Sequence, residues 1–292
     1  MITLYPTIRK ETATAKKVDI SKIAFPSDST FTKAEYMPAI TKENLNGRTD
    51  ISAMFKGNSN IKEISFAEGS LDGVTNLTDL ARECLSLESI KFPSNMDSVT
   101  SCYALLGCYT VSKPNNIKYV ELPNLPNAQA AYSMFYGCEN LESAILGDIG
   151  TSTTNVSIPY LFHRCRNLTS AKIGDISNST DTKSLFSMCD KLADLSIKAL
   201  PQVDMTQGEF TACSSLTAQS YANIFTALPN EANNTIEFAN NLVTYIEQNN
   251  TCTDDGGTSK TFVEWVKFAI YKGWTIKTLS GKLYNKTWAD LN

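Results

Sequence analysis

The sequence predicts an α/β solenoid, in which short parallel strands joined by helical or 3₁₀ turns stack along one axis. Three observations predict it. First, the stretch Ser133-Met134-Phe135-Tyr136-Gly137-Cys138-Glu139-Asn140-Leu141-Glu142-Ser143-Ala144-Ile145-Leu146 follows a pattern that returns along most of the chain: Leu/Met-Phe-x-x-Cys-x-x-Leu-x-x-aliphatic-x-aliphatic. Second, Cys84, Cys108, Cys138, Cys165, Cys189 and Cys213 occupy one position of that pattern, separated by 24, 30, 27, 24 and 24 residues. A period of this size is the mark of a stacked repeat. Third, the pattern fails near both ends, which divides the 292 residues into an N-terminal cap or attachment segment (1–50), the repeats (51–218) and a C-terminal capping region (219–292).

Each element has a local reason. In residues 1–50, Val18, Ile20, Ile23 and Phe25 alternate imperfectly before Pro26-Ser27-Asp28, as a strand ending in a turn does. This segment either covers the open end of the stack or attaches it to another chain. Within each repeat, the Leu-x-x-aliphatic-x-aliphatic half alternates and suits a short strand with a buried face. The Phe-x-x-Cys half suits one helical or 3₁₀ turn with Phe and Cys pointing inward. One unit cannot bury that face alone, so copies must stack, and six would give a continuous parallel sheet about 30 Å long.

Copies begin at Met54-Phe55, Leu80, Leu105, Met134-Phe135, Leu161-Phe162 and Leu185-Phe186, and a seventh starting at Phe210 stops half way, after Leu216. The third carries an insertion, 109–116, and such insertions emerge on one face of a solenoid. Gly147-Asp148-Ile149 and Gly174-Asp175-Ile176 read as equivalent turns in which Gly supplies a positive φ. Beyond Leu216, helical spacing marks 217–227 and 240–248, and 235–238 suits a strand. Asp254-Asp255-Gly256-Gly257 reads as a flexible turn. Thr261-Phe262-Val263-Glu264 is a capping box opening a helix that Gly273 ends, and 274–277 returns as a strand. Leu283, Tyr284 and Trp288 are apolar enough to dock on the cap or on a partner.

The repeat resembles the BspA-like (Treponema-type) leucine-rich repeat, whose copies carry Ala-Phe-x-x-Cys-x-x-Leu-x-x-Ile/Val-x-aliphatic, often followed by Pro. Cys84, Leu87, Ile90, Phe92 and Pro93 match its second half, as do Phe162, Cys165 and Leu168, and the resemblance covers roughly 50–220. Departures are Met or Leu before the Phe, Asn58 at the Cys position, and Ala144 and Ala171 where a larger aliphatic is usual. The resemblance implies a surface or interaction protein without catalysis.

Composition narrows the function further. With 42% hydrophobic and 19% charged residues and a net charge of −4, the chain offers no basic patch for nucleic acid. No run approaches the 18 apolar residues of a membrane span, and the first residues lack the basic start, apolar core and small-residue cleavage site of a signal peptide. The six repeat cysteines read as a ladder of buried, reduced thiols acting as small apolar residues, because equivalent Cβ atoms point the same way, which is poor disulfide geometry. Cys102 and Cys252 lie off the pattern. The absence of a C-x₂-C pair and the single histidine argue against zinc.

That histidine, His163, sits at an exposed repeat position beside Arg164 and Cys165, which gives no nucleophile–base arrangement. No phosphate-cradling loop is present. The expectation is a non-enzyme with no catalytic residues, cofactor or metal.

Strand alternation points outward at Glu63, Ser89, Tyr119, Ser143, Ser170 and Asp194 in one column, and at Ser65, Lys91, Glu121, Ile145, Lys172 and Ser196 in the next. Tyr119, Glu121 and Ile145, with Tyr109 of the insertion, form the candidate contact patch, since aromatic anchors dominate interfaces. The expected partners are other proteins, of a virion or a cell surface, or surface glycans, with homo-oligomerisation through the terminal regions. The preferred function is a phage fibre, tail or decoration protein made in the host cytoplasm without a signal peptide. The alternative is a bacterial cell-surface adhesin whose N-terminus is truncated here.

Overall fold

A computed structural model describes residues 39–110, 113–230 and 233–291. The strand expected around Val18 to Phe25, and Val111 and Ser112 of the insertion, lie outside the described residues. The rest forms a solenoid of about 7 turns built from parallel strands.

The chain enters the stack at Ile40, which bridges Phe66 in parallel, followed by α1 (Lys42–Leu45). Successive coils then contribute β1 (Glu63–Ser65), β2 (Ser89–Lys91), β3 (Tyr119–Leu122), β4 (Ser143–Leu146), β5 (Val156–Ser157), β6 (Ser170–Asp175), β7 (Ser179–Asp181) and β8 (Asp194–Ala199). Buried Ile64, Ile90, Val120, Ala144, Ala171 and Leu195 alternate with outward residues. The register aligns like with like: Tyr119 opposes Ser143, Ser143 opposes Ser170, and Ser170 opposes Asp194.

The sheet is not continuous, contrary to the single ladder expected. β1 and β2 form one sheet and β3-β4-β6-β8 another, and no ladder pair joins β2 to β3 among the described residues. The insertion is the reason. Elsewhere a coil's pairing opens with two N–H groups donating to one carbonyl, as Glu142 and Ser143 do to Lys118 O. Here the longer approach brings Asn116 N to Leu87 O instead, at 2.9 Å.

A second ladder runs through the Phe-x-x-Cys half of the repeat. The i→i−3 bonds of a 3₁₀ turn are present (Met54 to Ile51, Lys56 to Ala53, Asn58 to Phe55), but the intervening N–H groups donate to the next coil. Ala53, Phe55 and Gly57 bond to the carbonyls of Thr78, Leu80 and Arg82, and the scheme repeats coil after coil. A left-handed residue recurs to make this possible: Ala53, Asp79, Ala104, Ser133, Tyr160 and Ser184 all have positive φ. Each costs about 1–2 kcal/mol of backbone strain, which the inter-coil hydrogen bonds offset.

Inside this ladder the phenylalanines stack along the axis. Phe135, Phe162, Phe186, Phe210 and Phe238 follow one another with ring centroids 5.1–5.8 Å apart. The last two belong to β9 (Met205–Phe210) and β10 (Thr235–Phe238), so the C-terminal region continues the ladder rather than merely covering it. After β9 come α2 (Ala218–Ala227), β10, α3 (Asn241–Gln248), β11 (Thr251–Thr253), β12 (Ser259–Thr261), α4 (Phe262–Tyr271), β13 (Thr275–Thr278), β14 (Leu283–Tyr284) and α5 (Lys286–Leu291), with sheet order β14-β13-β10-β9. The Thr261–Glu264 capping box opens α4 as its sequence implies. Tyr284 is buried and meets Trp288 edge to face, so this terminal pair docks on the cap itself. The supposed flexible turn at Asp254 is instead pinned within the β11–β12 hairpin. Buried Asp254 accepts from Thr258 N at 2.7 Å and from the Thr226 hydroxyl at 2.8 Å.

Helix α2 closes the free edge of β8 with side chains. The Ser220 hydroxyl accepts from Leu195 N at 2.8 Å, and Asn223 Nδ2 donates to Leu195 O at 3.1 Å. An open strand edge, which would otherwise template aggregation, is thereby sealed.

The Gly-Asp-Ile turns correct one expectation: neither Gly147 nor Gly174 has a positive φ. Glycine is required there because the coils approach closely. A Cβ on Gly174 would lie 2.5 Å from Asp148 N and from Gly147 C, both backbone atoms. Gly174→Ala should therefore cost about 2–3 kcal/mol through overpacking, lowering the melting temperature by roughly 5–10 °C. Thermal unfolding by circular dichroism reads this directly.

Candidate interaction surface

The strand face of β3-β4-β6-β8 presents the outward columns to solvent. Tyr119 and Ile145 are among the few large apolar side chains left exposed, at 41% and 38%. Tyr119 donates its hydroxyl to Glu121 Oε2 at 2.8 Å, and Glu121 pairs in register with Ile145, so these three side chains share one patch. Lys118 and Glu142 make an ion pair of 2.9 Å near its edge. Further along the same columns lie Lys172, Asp194 and Ser196.

Tyr109 is not part of this patch. Its ring is half-buried against Tyr136, with centroids 4.6 Å apart, and the Arg82 guanidinium lies 4.5 Å over it. Tyr136 in turn stacks on His163 at 4.8 Å, and Tyr160 meets that imidazole edge-on. His163, expected at an exposed position, is thus half-buried in an aromatic strip on the second ladder. Burial, with Arg164 and Arg166 nearby, pushes its pKa down. Sequence reading missed this strip because its tyrosines fall at unassigned repeat positions. Their recurrence at one coil spacing was the available signal.

The repeat cysteines line the interior as free thiols. They do more than fill space. Cys84 Sγ donates to Phe55 O at 2.9 Å, Cys165 to Phe135 O at 3.2 Å and Cys189 to Phe162 O at 3.1 Å, each reaching the coil before its own. A small apolar side chain with one weak donor suits that position. Cys108 departs from the scheme, since it and Cys138 both point at Leu106 O, at 3.8 and 3.4 Å. Burial pushes the Cys84 and off-pattern Cys102 thiols up to about 12. Thiols so shifted are poor nucleophiles.

Among the described residues no group of three His, Cys, Asp or Glu could hold a metal ion, and no helix is long and apolar enough to cross a membrane. At the Gly-Asp-Ile turns the positive charge is supplied by the chain, with Lys198 Nζ 2.9 Å from Asp148 Oδ2. Asp148 Oδ1 also accepts from Asp175 N at 2.8 Å, as Asn124 Oδ1 does from Asp148 N at 2.9 Å. Burial opposes ionisation of Asp148, but the Asp175 N–H and Lys198 outweigh it and lower the pKa.

A family profile described as BspA type leucine-rich repeat region (6 copies) matches over residues 15–112 and 106–239. No curated protein and no solved structure matches the chain. Leucine-rich repeats of this kind are in general protein-interaction modules. With its stacked strands, its recurring thiols and a profile match over most of its length, the chain belongs to the BspA-type leucine-rich repeat family.

Proposed function

We propose that this protein is a non-catalytic binding module that engages another macromolecule through the strand face of β3-β4-β6-β8. The observation that carries the reading is the exposed Tyr119–Ile145 pair on a rigid, regularly spaced sheet. Aromatic and aliphatic anchors of this kind supply most of the energy of protein interfaces. Within that reading the chain is a phage virion component, such as a fibre, tail or decoration protein, that mediates attachment or assembly. The eight free cysteines support it, because they suit a protein assembled in a reducing cytoplasm. The second reading, a bacterial cell-surface adhesin, is favoured by the family match to adhesin-like repeat modules.

Quantitative mass spectrometry of purified particles tests both readings. The chain is expected in phage particles at a fixed copy number. A Tyr119→Ala/Ile145→Asp double variant should be incorporated at less than about a tenth of that level, while its melting temperature stays unchanged because both changes are on the surface. Undiminished incorporation of the double variant would remove the strand face from the mechanism. Recovery from the bacterial envelope alone would replace the virion by the adhesin.

A further inference from the structure

A groove of about 290 Å³ opens where the exposed sheet meets the C-terminal region. Lys172, Asp194 and Ser196, outward on β6 and β8, line one wall, and Gln219 and Asn223 of α2 with Asp255 of the hairpin turn line the other. Its charged groups are unpaired: among the described residues Lys172, Asp194 and Asp255 take part in no ion pair. Elsewhere Asp79, Glu139 and Asp148 all have cationic partners.

The hydrogen-bond donors of the helix wall are already engaged. Asn223 Nδ2 donates to Leu195 O, and Gln219 Nε2 is shared between Asn223 Oδ1 at 3.3 Å and Asp255 Oδ1 at 3.4 Å. What the groove offers a ligand is therefore mostly acceptors: the carboxylates of Asp194 and Asp255 and the Gln219 Oε1, with Lys172 the one cation. A donor-rich, positively charged group complements that set.

We infer that this groove receives an arginine side chain of a protein partner. The guanidinium presents five N–H donors in a planar fork, which two carboxylates and an amide oxygen can satisfy together. The inference rests on the strand-face reading and extends it, since the groove lies on the same sheet two strands beyond Ile145. That separation is about 10 Å, the reach of roughly three extended residues. The partner accordingly carries an apolar side chain and an arginine at that spacing.

The test is calorimetric titration of the full chain with N-acetyl-arginine amide, and separately with N-acetyl-glutamate amide. The arginine probe should bind saturably, and the glutamate probe should not. Asp194→Asn with Asp255→Asn should weaken arginine binding at least tenfold, while Lys172→Ala keeps or tightens it. Both carboxylates are exposed, so an unchanged melting temperature is expected for the double variant. Equal affinity of the double variant, or preference for the glutamate probe, overturns the inference. The Tyr119→Ala/Ile145→Asp variant keeps or tightens binding of the arginine probe, because neither residue lines the groove and the new aspartate stands opposite Lys172. Its behaviour in particles therefore reports on the strand face independently of the groove.

Discussion

Leu168→Asp is expected to abolish the cooperative fold. Leu168 is fully buried, one turn after Cys165 and just before β6, in a core that runs without interruption along the stack. An aspartate there sits within the apolar core, so it must remain charged and unpaired or take up a proton. Either costs several kcal/mol beyond the lost apolar burial. Folded domains hold only about 5–15 kcal/mol in reserve, and nearest-neighbour stacking is what stabilises each coil. Leu141→Asp, one coil earlier at the equivalent buried position, should behave alike. Urea titration followed by far-ultraviolet circular dichroism should show no cooperative transition for either variant. A wild-type melting temperature would mean that the repeat register described above is wrong.

Alkaline solution should unfold the protein at a pH that most folded domains tolerate. The thiols of Cys84, Cys102, Cys138, Cys165, Cys189, Cys213 and Cys252 are all shifted upward. Burial is the main cause in each except Cys138, where the bond with Cys108 comes first. A thiol whose folded pKa is raised contributes stability that is complete below its unfolded pKa, about 8.5, and is lost as pH rises toward the folded value. Two groups work in the opposite direction. Cys108 is lowered, chiefly by its bond with Cys138, and Lys272 is pushed down to about 8 by burial.

The raised thiols outnumber the two lowered groups, so above about 8.5 the unfolded chain gives up more protons than the folded one and stability falls as pH rises. Urea midpoints measured at pH 8, 9 and 10 should fall steeply, and Cys165→Ala should reduce the slope by one proton's worth. A midpoint independent of pH over this range would show that the thiols ionise within the folded stack.

Much of the architecture was legible in the sequence because a solenoid repeats its physics. The strand columns could be read from alternation alone, since inward Ile90, Ala144, Ala171 and Leu195 occur at one offset from the repeat cysteines Cys84, Cys138, Cys165 and Cys189. The α4 capping box was equally plain. The second ladder was not, because it depends on residues such as Ala53, Ser133 and Tyr160 adopting a left-handed conformation that their identity does not advertise. Gly174 was assigned the right side chain for the wrong reason, since close approach between coils is invisible within a single coil. Of the four residues expected to share one patch, three do so. Tyr119, Glu121 and Ile145 meet through strand register, whereas Tyr109 is drawn into the aromatic strip by Tyr136 and Arg82.

Periodicity by itself determined that coils stack, which side chains turn inward and where the cysteines lie, because a pattern repeated along the chain admits one common burial for every copy. Only the tertiary structure decided that the sheet breaks at the insertion, that α2 seals β8, and that an acceptor-lined groove forms between them. Those features arise between segments far apart in the chain, where the geometry depends on how one coil or cap sits against another.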